Sequence, residues 1–93
     1  MKLNCIVIDD DIHAINGIKS YLSTLSNVVL VKAFTDPLQA LTEIVGNGNV
    51  DIIFMDIDMP MISGIELSKA IRHKTNKIIF TTSHSKYAYE AFE

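Results

Sequence analysis

The chain has few of the residues that mark several classes of protein. Its one cysteine, Cys5, excludes an internal disulfide framework and a zinc site built from several cysteines, and a lone thiol fits a reducing compartment. Eight Lys and Arg face eleven Asp and Glu, which weighs against a nucleic-acid-binding surface. No apolar run approaches the roughly 18–20 residues of a membrane span, and the acidic Asp9–Asp11 interrupts the apolar start too early for a signal peptide. We therefore expect a small cytoplasmic domain without membrane contact.

The remaining composition is that of an ordinary globular protein. Hydrophobic residues make up 48% and charged residues 20% of the sequence, which argues against disorder. A length of 93 residues suffices for one domain with a single modest core.

Short apolar runs alternate along the chain with segments of helical periodicity. The runs predict four strands, at Leu3–Ile8, Val28–Phe34, Ile52–Met55 and Ile78–Phe80. Lys32 interrupts the second run, which predicts an edge strand. Apolar residues spaced by three and four predict a helix after each strand, with apolar positions running from Ile12 to Leu25, Leu38 to Val45, Ile65 to Ile71 and Tyr87 to Phe92.

The alternation of strands and helices predicts an α/β fold. Strands that are apolar on both faces and joined through helices form a parallel sheet covered on both sides, and right-handed crossovers leave few topologies. We favour a doubly wound, flavodoxin-like sheet with strand order 2-1-3-4. Such sheets bind ligands outside the carboxyl ends of their strands, at the point where the strand order reverses.

Acidic residues stand where this reversal is predicted. Asp9 and Asp10 follow the first strand, Asp56 follows the third, and the hydroxyl residues 81–83 follow the fourth. Crowded carboxylates require a proton or a cation, and oxygen ligands of this kind suit Mg²⁺. A carboxylate beside Mg²⁺ is a credible nucleophile toward phosphorus. The alternative is that these aspartates serve only as turn and helix-cap residues.

Three segments make the sequence resemble a known family. Cys5–Asp11 resembles the acidic-pair strand of two-component response regulator receiver domains, and Asp51–Gly64 resembles their phosphoacceptor segment, in which Asp is followed by Met-Pro and then Gly. Ile78–Ser83 is similar to the strand whose terminal hydroxyl senses the phosphoryl group. Tyr87–Glu93 looks like the receivers attached to LytTR-type DNA-binding domains.

The resemblance implies a role for each matching residue. Asp56 is the expected phosphoacceptor, and Asp10 and Asp56 are expected to bind Mg²⁺ directly. Asp9 acts through a water, and the backbone carbonyl of Asp58 completes the protein's ligands. Thr82 is expected to donate its hydroxyl to the phosphoryl oxygen. The implied partner is a sensor histidine kinase, and the implied output is transcription through a DNA-binding domain that these 93 residues do not contain.

Two further expectations concern the surroundings of this site. Asp58 and His84 lie two residues beyond Asp56 and Thr82, so we expect them to approach each other and limit the access of water. Gly64 is expected to permit a backbone angle or a close approach that other residues resist.

The resemblance also implies a fifth strand ending in a lysine and a fifth helix, which find no counterpart here. We therefore expect residues 1–93 to form a receiver domain truncated before the fifth strand, without an output domain. An uncovered strand 4 and the apolar last helix would then pair with another copy of the chain, so a homo-oligomer is expected.

Two other functions remain open from the residues alone. Asp56 and Asp58 also resemble the Asp-x-Asp motif of haloacid-dehalogenase-type phosphatases, although Pro60 stands where that family has Thr or Val. A receiver fold can also serve as a docking or dimerisation module without phosphorylation. Turnover of a phosphate monoester, as opposed to stoichiometric labelling, separates an enzyme from a signalling domain, and we expect no such turnover.

Overall fold

The computed structural model describes residues 2–59 and 61–81. Four strands and three helices alternate along this part of the chain, followed or joined by short turns: β1 (Leu3–Ile8), α1 (Ile12–Leu22), β2 (Val28–Phe34), α2 (Pro37–Gly46), β3 (Val50–Asp56), α3 (Gly64–Ile71) and β4 (Thr75–Thr81), with a 3₁₀ turn at Arg72–Lys74. All strand pairs are parallel, in the order β2-β1-β3-β4. The predicted fold class and strand order are therefore confirmed. No helix in these ranges is long and apolar enough to cross a membrane.

Side chains in the loops that follow the strands start the helices. Asp11, Asp36 and Ser63 each accept a hydrogen bond from a backbone N–H two or three residues further along, at the first turn of α1, α2 and α3. Pro37 follows as the first residue of α2, where its missing N–H and fixed φ suit a helix start. These caps begin each helix close to the strand end that precedes it.

The end of α1 differs from the end that its apolar periodicity predicts. The apolar pattern of α1 continues to Leu25, but the helix ends at Leu22. Ser23 and Thr24 turn their hydroxyls back onto the carbonyls of Ser20 and Tyr21, which offers those carbonyls an alternative to a continued helix.

The third and fourth strands are longer than their apolar runs. β3 begins at Val50, and β4 begins at Thr75, so Lys77 is the third residue of β4 and not its first. Backbone pairing of Val50 with Thr75 continues the ladder beyond the apolar residues. Backbone hydrogen bonds form whether the side chain is polar or apolar, so a strand can extend beyond its apolar run. Hydrophobicity alone therefore underestimates strand length.

The sheet is covered on both faces. On one face, α2 and α3 pack through Ile44 and Leu67 against strand residues that include Ile8, Ile53 and Met55. Alternation along β1 turns Cys5 and Val7 to the opposite face; there the α1 residues buried are Ile15 and Leu22.

β2 forms an edge of this sheet, as Lys32 predicted. Its pairing with β1 shifts register so that Val31 is an extra, bulged residue between Leu30 and Lys32. A bulge and a lysine both discourage a further strand from adding to an edge.

The predicted fourth helix, together with Thr82 and His84, lies outside the described residues. Association through β4 and that helix stays a prediction.

Candidate functional site

Three aspartates meet at the carboxyl ends of the two central strands. Asp9 and Asp10 directly follow β1, and Asp56 is the last residue of β3. Because β1 and β3 are neighbours with Ile8 beside Met55, ligand oxygens of the three carboxylates lie within 4.8 Å of one another. Asp9 and Asp56 are 5% and 6% exposed, whereas Asp10 faces solvent. The topology thus places two buried carboxylates and one exposed carboxylate around a single point.

Backbone N–H groups orient the two buried carboxylates. The N–H of Asp11 donates to Asp9 Oδ1 at 2.9 Å, and the N–H of Asp58 donates to Asp56 Oδ1 at 3.2 Å. Both bonds bridge two residues, so each carboxylate is tied to the turn that leaves its own strand. The remaining oxygens stay available to accept other partners.

Burial and mutual repulsion make this cluster hard to ionise. Burial, followed by the neighbouring charges of Asp9 and Asp10, raises the pKa of the Asp56 carboxyl to about 7, although the N–H of Asp58 acts in the opposite direction. Burial likewise raises the pKa of Asp9. The cluster therefore favours either a shared proton near neutral pH or a bound cation.

The donor set fits a hard divalent cation. Carboxylate oxygens are the ligands that Mg²⁺ prefers, with one or two carboxylates and several waters completing its octahedron. Asp9, Asp10 and Asp56 would supply those oxygens. The turn at Asp58 lies next to these ligands, because the Asp58 N–H donates a hydrogen bond to the Asp56 side chain.

Gly64 brings the start of α3 against the backbone of Asp56. A Cβ at this position would lie only 2.1 Å from the carbonyl oxygen of Asp56 and 2.9 Å from the Ile57 Cα. The Gly64 N–H donates to the Ile57 carbonyl at 2.8 Å. Of the two predicted reasons for a glycine, the close approach is the one observed: φ of Gly64 is not positive, and the left-handed residue of this loop is Met61, with φ of 73°.

Thr81 is the residue that sequence reasoning passed over. The hydroxyl residues 81–83 were expected near the site, and only Thr82 was assigned a role. In the sheet, Thr81 is the register partner of Asp56, and the Ile57 N–H donates to the Thr81 carbonyl at 3.1 Å. To identify Thr81 from the sequence, one would have had to know which residue of β4 pairs with Asp56 of β3.

A separate cavity of about 320 Å³ lies at the other end of α2. Its polar lining includes Lys32, Glu43 and Asn47, and its apolar lining includes Phe34 and Ile44. Lys32 and Glu43 form an ion pair there. None of the clustered aspartates lines this cavity, so it takes no part in the chemistry of the site.

Residues 5–93 match the response regulator receiver domain family. The chain belongs to this family. Receiver domains are signalling domains of two-component systems, and phosphorylation of an aspartate is general among them. The match therefore favours a signalling domain over the phosphatase interpretation.

Curated relatives of this receiver domain are longer proteins. It is 32% identical to protein MrkE of Klebsiella pneumoniae over 99% of the chain and 35% of the relative. It is 32% identical to the sensory transduction protein LytT of Oceanobacillus iheyensis over 100% of the chain and 39% of the relative. The transcriptional regulatory protein NatR of Bacillus subtilis is 33% identical over 94% of the chain and 38% of the relative. The chain thus spans little more than a third of these proteins.

Solved structures share the fold. The response regulatory domain of MrkE superposes with a TM-score of 0.78 at 31% identity, over 96% of this receiver domain and 74% of that chain. The response regulator TrrA of Thermotoga maritima, solved in complex with Mg²⁺-BeF, gives 0.76 at 32% identity over 97% and 76%. A structure of the P1 domain of CheA3 in complex with CheY6 from R. sphaeroides gives 0.76 at 29% identity over 96% and 73%.

Proposed function

We propose that this receiver domain accepts a phosphoryl group on Asp56 from a sensor histidine kinase, with Mg²⁺ as cofactor. The observation that carries the proposal is the position of Asp56: it ends a central strand, is 6% exposed, and has two further carboxylates within 4.8 Å. Of the three carboxylates, only that of Asp56 is both buried and oriented by the turn that leads to Gly64. The solved relatives with Mg²⁺-BeF and with a CheA3 P1 domain support the cofactor and the partner.

The transfer forms one bond and breaks another. An Asp56 carboxylate oxygen attacks the phosphorus of a phosphohistidine, the P–O bond forms, the P–N bond breaks, and the imidazole leaves with its electron pair and takes up a proton. Mg²⁺ would neutralise charge on the phosphoryl oxygens. Asp10 and Asp56 would bind the cation directly, Asp9 would act largely through a water, and the Asp58 carbonyl is the further proposed ligand. The Asp58 N–H keeps the attacking side chain oriented.

Ionisation of Asp56 links cation binding to reactivity. The attacking group must be a carboxylate, but burial raises its pKa to about 7 in the cluster without a cation. A divalent cation beside the carboxylates favours their charged form. Mg²⁺ held at Asp9 and Asp10 would therefore also favour the ionised, nucleophilic form of Asp56.

We further propose that Thr82 senses the phosphoryl group, and that Asp58 and His84 limit the access of water to it. A carboxylate near His84 would favour the cationic imidazole. Label lifetimes measured for Asp58→Ala and His84→Ala test this role, and unchanged lifetimes in both variants would refute it.

The output of this signal is proposed from the relatives. LytT and NatR are named as sensory transduction and transcriptional regulatory proteins, and this chain spans little more than a third of their length. We propose that phosphorylation of Asp56 controls transcription through a DNA-binding output domain. Phosphorylation shifts a population of conformations, and no external substrate is turned over.

The decisive experiment is labelling by a small phosphodonor. With Mg²⁺, the protein is expected to gain one acid-stable, base-labile phosphoryl group, and Asp56→Asn is expected to abolish it. Asp51→Asn is a matched control, because it makes the same change on the same strand at the opposite end of the sheet, where Asp51 accepts the Asn4 N–H. An unlabelled parent, or a labelled Asp56→Asn variant, would overturn the proposal.

A further inference from the structure

Thr81 and Asp56 are direct neighbours across two parallel strands. They are register partners in the pairing of β3 with β4, and paired residues of parallel strands point their side chains to the same face. Neighbouring strands lie about 4.8 Å apart, so the two Cβ atoms are within reach of a hydrogen bond between the side-chain ends. The bond from the Ile57 N–H to the Thr81 carbonyl, at 3.1 Å, holds this register at the end of the strands.

The hydroxyl of Thr81 is enclosed without a hydrogen-bond partner among the described residues. Buried polar side-chain atoms are paired in the large majority of native structures. A valine would fill the same volume without leaving an orphan group. The hydroxyl therefore destabilises the fold at this position, unless it forms a hydrogen bond in another state of the site.

Asp56 is the acceptor that this position offers. On the β1 side it faces Asp9 and Asp10, and on the β4 side it faces Thr81. The Asp58 N–H occupies one lone pair of Oδ1, and each carboxylate oxygen has capacity for two donors. A hydrogen bond to an ionised carboxylate is about twice as strong as one between neutral groups.

We propose that the Thr81 hydroxyl donates a hydrogen bond to the Asp56 side chain and acts as a positioning residue for phosphoryl transfer. In the proposed state, rotation about the Thr81 Cα–Cβ bond would turn the hydroxyl toward the carboxylate, which would then be held from β4 while its other side faces Asp9 and Asp10 after β1. Thr81 keeps its proton throughout the transfer. The inference rests on the proposed phosphorylation of Asp56 and adds a second hydroxyl residue, distinct from Thr82, at the same site.

The test compares Thr81→Val, which keeps the shape and removes the hydroxyl, with Thr81→Ser, which keeps the hydroxyl. At saturating Mg²⁺ and a fixed concentration of a small phosphodonor, labelling of Thr81→Val is expected to slow about tenfold, and Thr81→Ser is expected to stay within about twofold of the parent. Thr75→Val is the matched control: it makes the same change on the same strand, at the end far from Asp56.

Stability separates positioning from a structural role. Thr81→Val keeps the side-chain volume and removes a single hydroxyl, so its midpoint of urea unfolding is expected to fall by no more than that of Thr75→Val while its labelling slows. Thr75→Val removes hydroxyl bonds to the Asp51 and Lys77 carbonyls, so it is expected to lower the midpoint and leave labelling unchanged. Labelling of Thr81→Val at the parent rate, or labelling of Thr81→Ser as slow as that of Thr81→Val, would overturn the inference.

A second measurement does not depend on phosphorylation. The hydroxyl proton of Thr81 is expected to give a slowly exchanging NMR signal, and Asp56→Ala is expected to remove that signal. Absence of the signal in the parent overturns the hydrogen bond even where labelling succeeds. If the signal is present and the parent cannot be labelled, the proposed function fails and the positioning role for phosphoryl transfer fails with it.

Discussion

Replacement of Gly64 by alanine tests the contact on which the geometry of the site depends. The added Cβ would lie 2.1 Å from the Asp56 carbonyl oxygen and 2.9 Å from both the Asp56 carbonyl carbon and the Ile57 Cα. All three are backbone atoms, which cannot turn away as a flexible side chain does. The start of α3 must therefore move away from the end of β3.

The cost can be estimated from two contributions. Overpacking of a well-packed site costs about 1–3 kcal/mol. Displacement of α3 also weakens the 2.8 Å hydrogen bond from the Gly64 N–H to the Ile57 carbonyl, which contributes about 1 kcal/mol. Alanine restores up to about 1 kcal/mol through its lower backbone entropy. We expect a net loss of about 1–3 kcal/mol, and a fall in Tm of roughly 5–20 °C for a domain of this size.

Gly17→Ala is the matched control. Gly17 lies within α1, and a Cβ there meets nothing within 4 Å. The same substitution is therefore expected to stabilise the protein by about 0.5–1 kcal/mol, because alanine is the better helix former. Thermal unfolding followed by circular dichroism measures both variants. A Gly64→Ala variant as stable as the parent would refute the close approach of α3 to the phosphoacceptor strand.

Three further predictions concern the aspartates. Burial raises the pKa of Asp56 to about 7 in the folded protein. The stability contributed by its protonated form is therefore fully present below the pKa of Asp56 in the unfolded chain, and it is lost as pH rises through about 7. The free energy of unfolding of cation-free Asp56→Asn, measured relative to the parent, should therefore increase between pH 5 and pH 8 by about 2.5 kcal/mol, and a constant difference would contradict the raised pKa. Asp10→Ala is expected to weaken Mg²⁺ binding more than about tenfold in calorimetry without lowering Tm, since Asp10 is exposed; equal affinity would remove Asp10 from the site. Asp11→Ala removes the N-cap of α1 and should cost about 1 kcal/mol in urea unfolding, whereas Asp11→Asn should cost only a few tenths; equal losses would show that the cap is unimportant.

Much of the fold follows from local patterns in the sequence, namely apolar runs and helix-capping residues. The apolar runs at Leu3–Ile8 and Val28–Phe34 coincide with β1 and β2, and the pair Asp36-Pro37 supplies the N-cap and first residue of α2. Parallel pairing and right-handed crossovers then leave few strand orders. For the same reason, the meeting of Asp9 with Asp56 could be predicted: residues that follow central parallel strands must reach the same edge of the sheet.

The errors in strand length and register share a physical cause, because both features depend on neighbours that are distant in sequence. Hydrophobicity placed the start of β4 too late, because backbone pairing with Val50 extends the strand to Thr75. The bulge at Val31 likewise arises from how β2 meets β1, and no local pattern marks it.

The site shows the same division. The sequence by itself determined which aspartates gather, because topology follows from the order of strands and helices. Only the tertiary structure decided that Gly64 serves a close approach and that Met61 takes the left-handed backbone conformation. It also decided that Thr81 is the register partner of Asp56, and that burial among carboxylates raises the pKa of Asp56 to about 7. Register, burial and contact between backbones are properties of assembled elements, since each requires two segments of chain that the sequence keeps apart.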